Sequence, residues 1–66
     1  MKIKVGQLWQ HKANEFDVLE ILQDHYPATY NYSDQETFVI EIDTETTFWV
    51  THKKILNNYK LVSGPQ

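Results

Sequence analysis

The chain has no cysteine among its 66 residues, and this absence excludes several classes of function at once. Without a thiol there is no disulfide, no zinc–thiolate centre, no redox pair and no cysteine nucleophile. Two glycines are too few to build a phosphate-binding loop, and neither a Gly-x-Ser-x-Gly nor a His-Glu-x-x-His motif occurs. We therefore expect no enzymatic activity, no metal and no cofactor.

The three histidines do not change that expectation. His11, His25 and His52 stand 14 and 27 residues apart, which is not the spacing of metal ligands on one element. The available hydroxyl nucleophiles (Ser33, Ser63 and the threonines) lie in no activating motif. We interpret each histidine as a solvated loop or strand-end residue.

Arginine is also absent, so all six basic residues are lysines, and the net charge is −3. The lysines lie near the two ends of the sequence, at Lys2, Lys4, Lys12, Lys53, Lys54 and Lys60. The nine acids lie between them, at Glu15, Asp17, Glu20, Asp24, Asp34, Glu36, Glu41, Asp43 and Glu45. If the terminal strands meet in the fold, a basic pole and a larger acidic pole result. Because the arginine fork is the usual reader of phosphate and guanine, we do not expect a nucleic-acid partner.

No long hydrophobic run is present. The longest uncharged stretch, residues 26–33, is half polar and far shorter than a membrane span. No apolar segment follows Met1, so we expect no secretory signal and a cytoplasmic protein with no membrane partner. A chain of this length with 41% hydrophobic residues suits one small globular unit. We predict a single domain over residues 1–62 and a flexible tail over residues 63–66.

The clearest β-strand pattern lies at residues 36–43, followed by a second strand at residues 47–51. The alternation predicts Phe38, Ile40 and Ile42 on the core side and Thr37, Val39, Glu41 and Asp43 on the outer side. Phe48 and Val50 join that core only if the connecting loop has an odd number of residues. The loop also lacks the glycine of a two-residue turn. We therefore predict a loop of about three or five residues.

The remaining elements are shorter. Residues 16–22 fit a helix capped by Asn14, but they also fit a strand, which the strand-like sequence after Ala28 favours. Gly6 precedes a first strand whose Trp9 we place in the core. Residues 54–58 predict one helical turn, and residues 59–62 predict a closing strand.

Five short strands with a single helical turn before the last describe an SH3-like barrel. The spacing of Val5-Gly6-Gln7-Leu8-Trp9, Phe16-x-Val18-Leu19-x-Ile21, Phe48-Trp49-Val50 and Tyr59-x-Leu61-Val62 resembles small SH3-like proteins of unknown function encoded by bacteriophages and prophages. The resemblance implies a mainly β, five-stranded SH3-like barrel over most of the chain, and a phage or prophage origin. It implies no activity.

Binding to a protein partner is the function that the pattern favours. Trp49 is predicted to point away from the core, and tryptophan is enriched at the centres of interfaces. The predicted partner-binding residues are Trp49, Val39, Glu41 and Asp43, assisted by Tyr30 and Tyr32. Two alternatives stay open at this point: a neighbouring loop covers Trp49, or Trp49 belongs to the core and Phe48 faces outward.

Two further hypotheses use charge. Five carboxylates lie within twelve residues, at Asp34, Glu36, Glu41, Asp43 and Glu45, and a dense acidic face could occupy the basic groove of a host nucleic-acid-handling protein. Such a protein would be an acidic inhibitor of the anti-restriction or anti-CRISPR type. The other hypothesis is self-association, through the outer sheet edge or by the basic pole meeting the acidic pole.

Overall fold

The computed structural model describes residues 3–23 and 35–65, and these residues form one antiparallel sheet with one short helix. The elements are β1 (Leu8–His11), β2 (Asn14–Gln23), β3 (Glu36–Glu41), β4 (Thr46–Thr51), α1 (His52–Asn58) and β5 (Tyr59–Ser63). The strand order is β4-β3-β2-β1-β5, so β4 and β5 are the two edges of the described sheet. The prediction of a mainly β protein with five strands and a helical turn before the last is confirmed. Among the described residues, β4 and β5 do not pair, and the sheet is not closed into a barrel.

The segment that could have been helix or strand is a strand. Residues 16–22 lie within β2, the longest strand, which pairs with β1 on one side and β3 on the other. A long central strand is stabilised by two ladders at once, and this context outweighs the helix-capping signal at Asn14. The Asn14 side chain instead accepts a hydrogen bond from the Phe16 backbone N–H at 3.0 Å, two residues along.

The hydrophobic core lies on one face of the sheet, with α1 packed over its end. Its buried side chains are Ile3, Trp9, Leu19, Ile21, Val39, Val50, Ile55 and Tyr59. Six of them lie on the strands, where alternate side chains share a face, and the other two are Ile3, which precedes β1, and Ile55 on α1. Trp9 is only 2% exposed, which confirms its predicted place in the core.

The predicted faces of β3 are reversed. Val39 and Thr37 are fully buried, whereas Ile42, predicted to face inward, is 45% exposed. The cause is the loop to β4: Glu41 pairs with Thr46, so the loop has four residues, and the predicted odd number is wrong. Phe48 and Val50 do face the core as predicted, but their neighbour there on β3 is Val39 rather than Ile40 and Ile42. A shift of one residue in the pairing of two strands exchanges the faces of one strand relative to the other.

The four-residue loop, residues 42–45, closes without glycine. Glu45 takes a left-handed conformation with φ of 57°, which the sterics of Cβ disfavour in all residues but glycine and, less strongly, asparagine and aspartate. The Thr44 hydroxyl donates to the Thr46 hydroxyl at 2.9 Å across the same corner. The turn therefore holds β4 in its register at the expense of local backbone strain.

The two ends of the described chain meet around Gln7, which is fully buried. Its Oε1 accepts from the Lys4 backbone N–H at 2.8 Å and from Trp9 Nε1 at 3.0 Å. Its Nε2 donates to the Pro65 carbonyl at 2.7 Å. The residues predicted as a flexible tail thus make defined contacts as far as Pro65, and Ser63 is the last residue of β5, opposite Leu8.

Candidate functional site

An aromatic surface lies on the face of the sheet opposite the core. Phe38 on β3 and Trp49 on β4 are directly opposed, with ring centroids 5.0 Å apart and ring planes inclined at 45°. Trp49 is 38% exposed, and Ile40, two residues along β3, is half-buried on the same side. We call these three residues the Trp49 face. Tilted aromatic pairs of this kind are favourable beyond the area that they bury.

The structure separates the predicted binding residues. Trp49 points away from the core as predicted, but Val39 is fully buried on the opposite face and Glu41 shares that core side. Asp43 lies exposed in the loop between β3 and β4. Tyr30 and Tyr32 lie outside the described residues. The predicted grouping of Val39 and Glu41 with Trp49 is therefore wrong, because it followed from the wrong face of β3.

Sequence reasoning missed Phe38 and Ile40 as neighbours of Trp49. β3 carries apolar side chains on both faces, so hydrophobic alternation alone does not say which face is the core. The four-residue length of the loop would have decided it, since an even loop brings Phe38 opposite Trp49. The smaller β-branched side chains of Thr37 and Val39 are then on the buried face, where Val39 pairs with Ile21 of β2.

The carboxylates predicted as an acidic face are also divided. Glu36 pairs with Thr51 on the same side as Trp49, Glu41 lies on the core side, and Asp43 and Glu45 occupy the loop. Asp34 lies outside the described residues. Alternation along β3 therefore divides the acidic stretch between the two faces and the end of the hairpin.

Only some of the described lysines lie beside the paired terminal strands. β1 and β5 do pair, and Lys60 on β5 stands opposite Gln10, which confirms that the terminal strands meet. Lys12 joins this side through a hydrogen bond from its Nζ to the Asn57 carbonyl at 3.1 Å. Lys53 and Lys54, however, lie in the first turn of α1, directly after β4. The described lysines are therefore distributed over the β1–β2 turn, β5 and the start of α1, apart from Lys4, which precedes β1.

A polar cluster lies at the end of the core beside α1. The Tyr59 hydroxyl donates to Asp17 Oδ2 at 3.0 Å, and the His11 ring packs edge-on against the Tyr59 ring with centroids 5.0 Å apart. Burial, this hydrogen bond and the charges of Asp17 and Glu41 together raise the pKa of Tyr59 to about 12. A tyrosine with so high a pKa stays protonated at neutral pH and acts there as a hydrogen-bond donor.

One of the two described histidines, His52, does not lie in its predicted environment. His11 ends β1 and is half-buried, and its Nδ1 accepts from the Ala13 N–H at 3.0 Å. His52 is fully buried at the start of α1, so its interpretation as a solvated residue is wrong. His25 lies outside the described residues. Within residues 3–23 and 35–65, no three His, Cys, Asp or Glu side chains come together to hold a metal ion.

A second apolar side chain is exposed at the hairpin between β1 and β2. Phe16 is 72% exposed and borders an open depression of about 530 Å³, together with Gln10, Lys12 and Lys60. Phe16 is far more exposed than Trp49, which packs against the Phe38 ring. The Trp49 face is the better-formed of the two surfaces for this reason.

In the described part of the chain, α1 is a seven-residue helix, and no helix there is long and apolar enough to cross a membrane. Comparison of the chain with protein families, with curated protein sequences and with solved structures found no match.

Proposed function

We propose that this protein is a non-enzymatic protein-interaction module with an SH3-like fold that acts in the cytoplasm. The strand order β5-β1-β2-β3-β4, read from the other edge of the sheet, and the helix between β4 and β5 support the fold proposal. The β1–β2, β1–β5 and β2–β3 ladders each contain a register shift, and shifts of the β-bulge type increase the local twist with which a sheet curls toward a barrel.

The observation that carries the function is the exposure of Trp49 beside Phe38 on the side away from the core. An indole that is 38% exposed and backed by a second ring offers a large contact area at little loss of conformational entropy. Tryptophan is also the residue most enriched among those that dominate binding energy. The Trp49 face therefore suits a partner that presents one apolar side chain as its anchor.

The test is a pull-down from nuclease-treated lysate with three baits: the natural chain, Trp49→Ala and Phe16→Ala. Phe16→Ala is the matched control, because it removes an exposed aromatic ring of the other surface. We expect a protein that is captured by the natural chain and by Phe16→Ala but lost with Trp49→Ala. Circular dichroism of each bait first establishes that it is folded.

Two outcomes would overturn the proposal. A partner retained by Trp49→Ala excludes the Trp49 face as the binding surface. A partner lost on Asp43→Lys and released by moderate salt, but indifferent to Trp49→Ala, would instead support the acidic-inhibitor hypothesis, since exposed charges are screened by salt and apolar contacts are not.

A further inference from the structure

The open depression at the β1–β2 hairpin combines an apolar ring with positive charge. Its lining, about 530 Å³ in volume, contains the exposed Phe16 ring and the ammonium groups of Lys12 and Lys60. Glu15 is the single carboxylate of this lining, so its charge is net positive. The depression therefore suits a group in which an apolar side chain stands beside more than one carboxylate.

The loop between β3 and β4 has that composition. Ile42 is 45% exposed, and the carboxylates of Asp43 and Glu45 follow it, both on exposed residues. The hydrogen bond between the Thr44 and Thr46 hydroxyls spans the loop, so little further ordering is needed when the loop binds. The chain thus carries both the basic depression and an acidic loop of matching chemistry.

The loop and the depression lie at the same end of the sheet. β2 pairs antiparallel with β1 and with β3, so the turn before β2 and the loop after β3 are neighbours. The Ile42 N–H donates to the Val18 carbonyl at 3.0 Å, two residues along β2 from Phe16. Lys60, however, lies on β5, which is three strand spacings, or about 14 Å, from β3. At that separation exposed charges are largely screened, so the loop does not neutralise Lys60 of its own chain.

We propose that two copies of this chain form a closed dimer, in which the β3–β4 loop of each copy occupies the β1–β2 depression of the other. Ile42 then covers the Phe16 ring of the second copy, and the two loop carboxylates face its lysines. Because loop and depression lie at one end of the sheet, a two-fold axis between them makes both contacts at once. At opposite ends of the sheet, the same contact would repeat into a fibre.

Charge complementarity selects a second copy as the occupant. Within residues 3–23 and 35–65, neither Lys60 nor the two loop carboxylates form an ion pair. The Lys12 ammonium donates to the Asn57 carbonyl and has two more protons to donate. The net charge of −3 opposes the approach of two copies in general. A dimer therefore depends on this local match of basic depression and acidic loop.

The expected dimer is weak. Two loop-sized contacts bury less than the roughly 1,200 Å² of a standard interface, so we expect a Kd between about 10 µM and about 1 mM. The contacts do not include the Trp49 face. The dimer and the proposed function therefore stand on different residues and fail independently.

The test is sedimentation equilibrium of the purified protein over a range of concentrations. The natural chain should gain apparent mass with concentration, and Asp43→Lys and Lys60→Glu should each dimerise about tenfold more weakly, because like charges then meet at both contacts. Phe16→Ala should also weaken the dimer, since it removes the ring that Ile42 covers. All three positions are exposed, so circular dichroism should show the natural fold for each variant.

An equimolar mixture of Asp43→Lys and Lys60→Glu should dimerise more tightly than either variant alone. In the mixed dimer, the loop of the Lys60→Glu chain meets the depression of the Asp43→Lys chain, and both keep their natural charges. The second contact joins the two reversed charges, which are again opposite in sign. This recovery does not occur if each substitution merely damages its own chain.

Glu15→Lys separates the local contact from overall charge. It changes the net charge by the same amount as Asp43→Lys, but it removes the one carboxylate from the depression. It should therefore tighten the dimer, whereas Asp43→Lys weakens it. Trp49→Ala should leave dimerisation unchanged, and raising the salt from about 50 mM to about 500 mM should weaken it.

A mass of the natural chain that does not change with concentration would overturn the proposal. So would Asp43→Lys and Glu15→Lys shifting dimerisation in the same direction, because net charge alone would then explain both. A dimer that is lost with Trp49→Ala but unaffected by Phe16→Ala would place the interface on the Trp49 face instead.

Discussion

Tyr59 and Asp17 are joined by a hydrogen bond of 3.0 Å from the tyrosine hydroxyl to the carboxylate, across 42 positions of sequence. The bond ties the first residue of β5 to β2, with β1 between them in the sheet. The Tyr59 side chain is 7% exposed, so the hydroxyl is held where its ionised form would be poorly solvated and close to a negative charge. The contact is stable only while Tyr59 carries its proton.

This contact predicts a loss of stability at alkaline pH. The folded-state pKa of Tyr59 is about 12, above the ordinary value of 10.0, so the folded protein binds the proton more tightly than the unfolded chain does. The stabilisation is complete below pH 10.0 and is lost as the pH rises toward about 12. Urea denaturation across this range should show the decrease, and Tyr59→Phe should lack it. An equal alkaline decrease in Tyr59→Phe would assign the effect to other groups.

Gln7 should contribute more to stability than its polar character suggests. Gln7→Leu keeps the volume but leaves the Lys4 N–H, the Trp9 indole N–H and the Pro65 carbonyl without the partners that Gln7 supplies. We expect the free energy of unfolding to fall by about 2–4 kcal/mol, since buried groups that lose a partner carry the full cost of desolvation. Gln10→Leu is the control, because the Gln10 amide bonds the exposed Glu15 carbonyl and should cost under about 1 kcal/mol. Equal losses at the two positions would contradict the special role of Gln7.

The two glycines should respond differently to alanine, although both have positive φ. At Gly6, with φ of 92°, the nearest neighbour of an added Cβ is Pro65 Cδ at 3.7 Å, so only backbone strain of about 1 kcal/mol is expected. At Gly64, with φ of 108°, the Cβ would lie 2.6 Å from Gln7 Cα and 2.8 Å from the Gly6 carbonyl oxygen. Gly64→Ala should therefore lift the segment that follows Ser63 away from Gln7.

The cost of Gly64→Ala has an upper limit that can be measured. Once the segment after Ser63 is detached, the Gly64→Ala variant should lose as much stability as a chain shortened to end at Ser63. Thermal denaturation of Gly6→Ala, Gly64→Ala and the shortened chain compares all three. A Gly64→Ala variant as stable as Gly6→Ala would show that the close approach at Gln7 relaxes at little cost.

The loop between β3 and β4 offers a stabilising substitution. Glu45→Asn places a residue that tolerates the left-handed region at φ of 57°, and we expect a gain of about 0.5 kcal/mol. Asp43→Asn is the matched control, because it removes the same charge from the same loop at a position without positive φ. The urea midpoint should rise for Glu45→Asn alone. An equal rise in both variants would mean that relief of charge repulsion, rather than of backbone strain, is responsible.

Local pattern was sufficient for the strands and for Trp9. The β-branched and aromatic runs around Phe48 and Tyr59 predicted β4 and β5, and Trp9 and Trp49 lie on the sides of the sheet that the sequence predicted for them. These features depend on the two-residue period within a single strand. The side of Trp49 depended also on β3: the predicted faces of β3 and the predicted odd loop were both wrong, and the two errors cancel at Trp49.

The sequence pattern did not contain the information needed to predict which face of β3 is buried. Both faces of the strand carry apolar side chains, so the choice of the buried face depended on the length of the loop to β4. That loop has four residues and closes through Glu45, a residue that no turn rule would place at positive φ. The sequence predicts a solvated His52, and nothing in the pattern marks Gln7 as a buried residue. Both are buried because backbone and side-chain groups of distant segments converge on their positions.

The pairing of β1 with β5 also sets the order in which the sheet can assemble. β1 reaches β2 through a two-residue turn, and β3 reaches β4 through four residues, but Trp9 meets Leu61 across some fifty residues of chain. Contacts that close a long loop form after those that close a short one. We expect refolding to build the hairpins first and to finish with the arrival of β5. The same edge, held by Gln7 and Pro65, should then be the first to exchange its amide hydrogens with solvent.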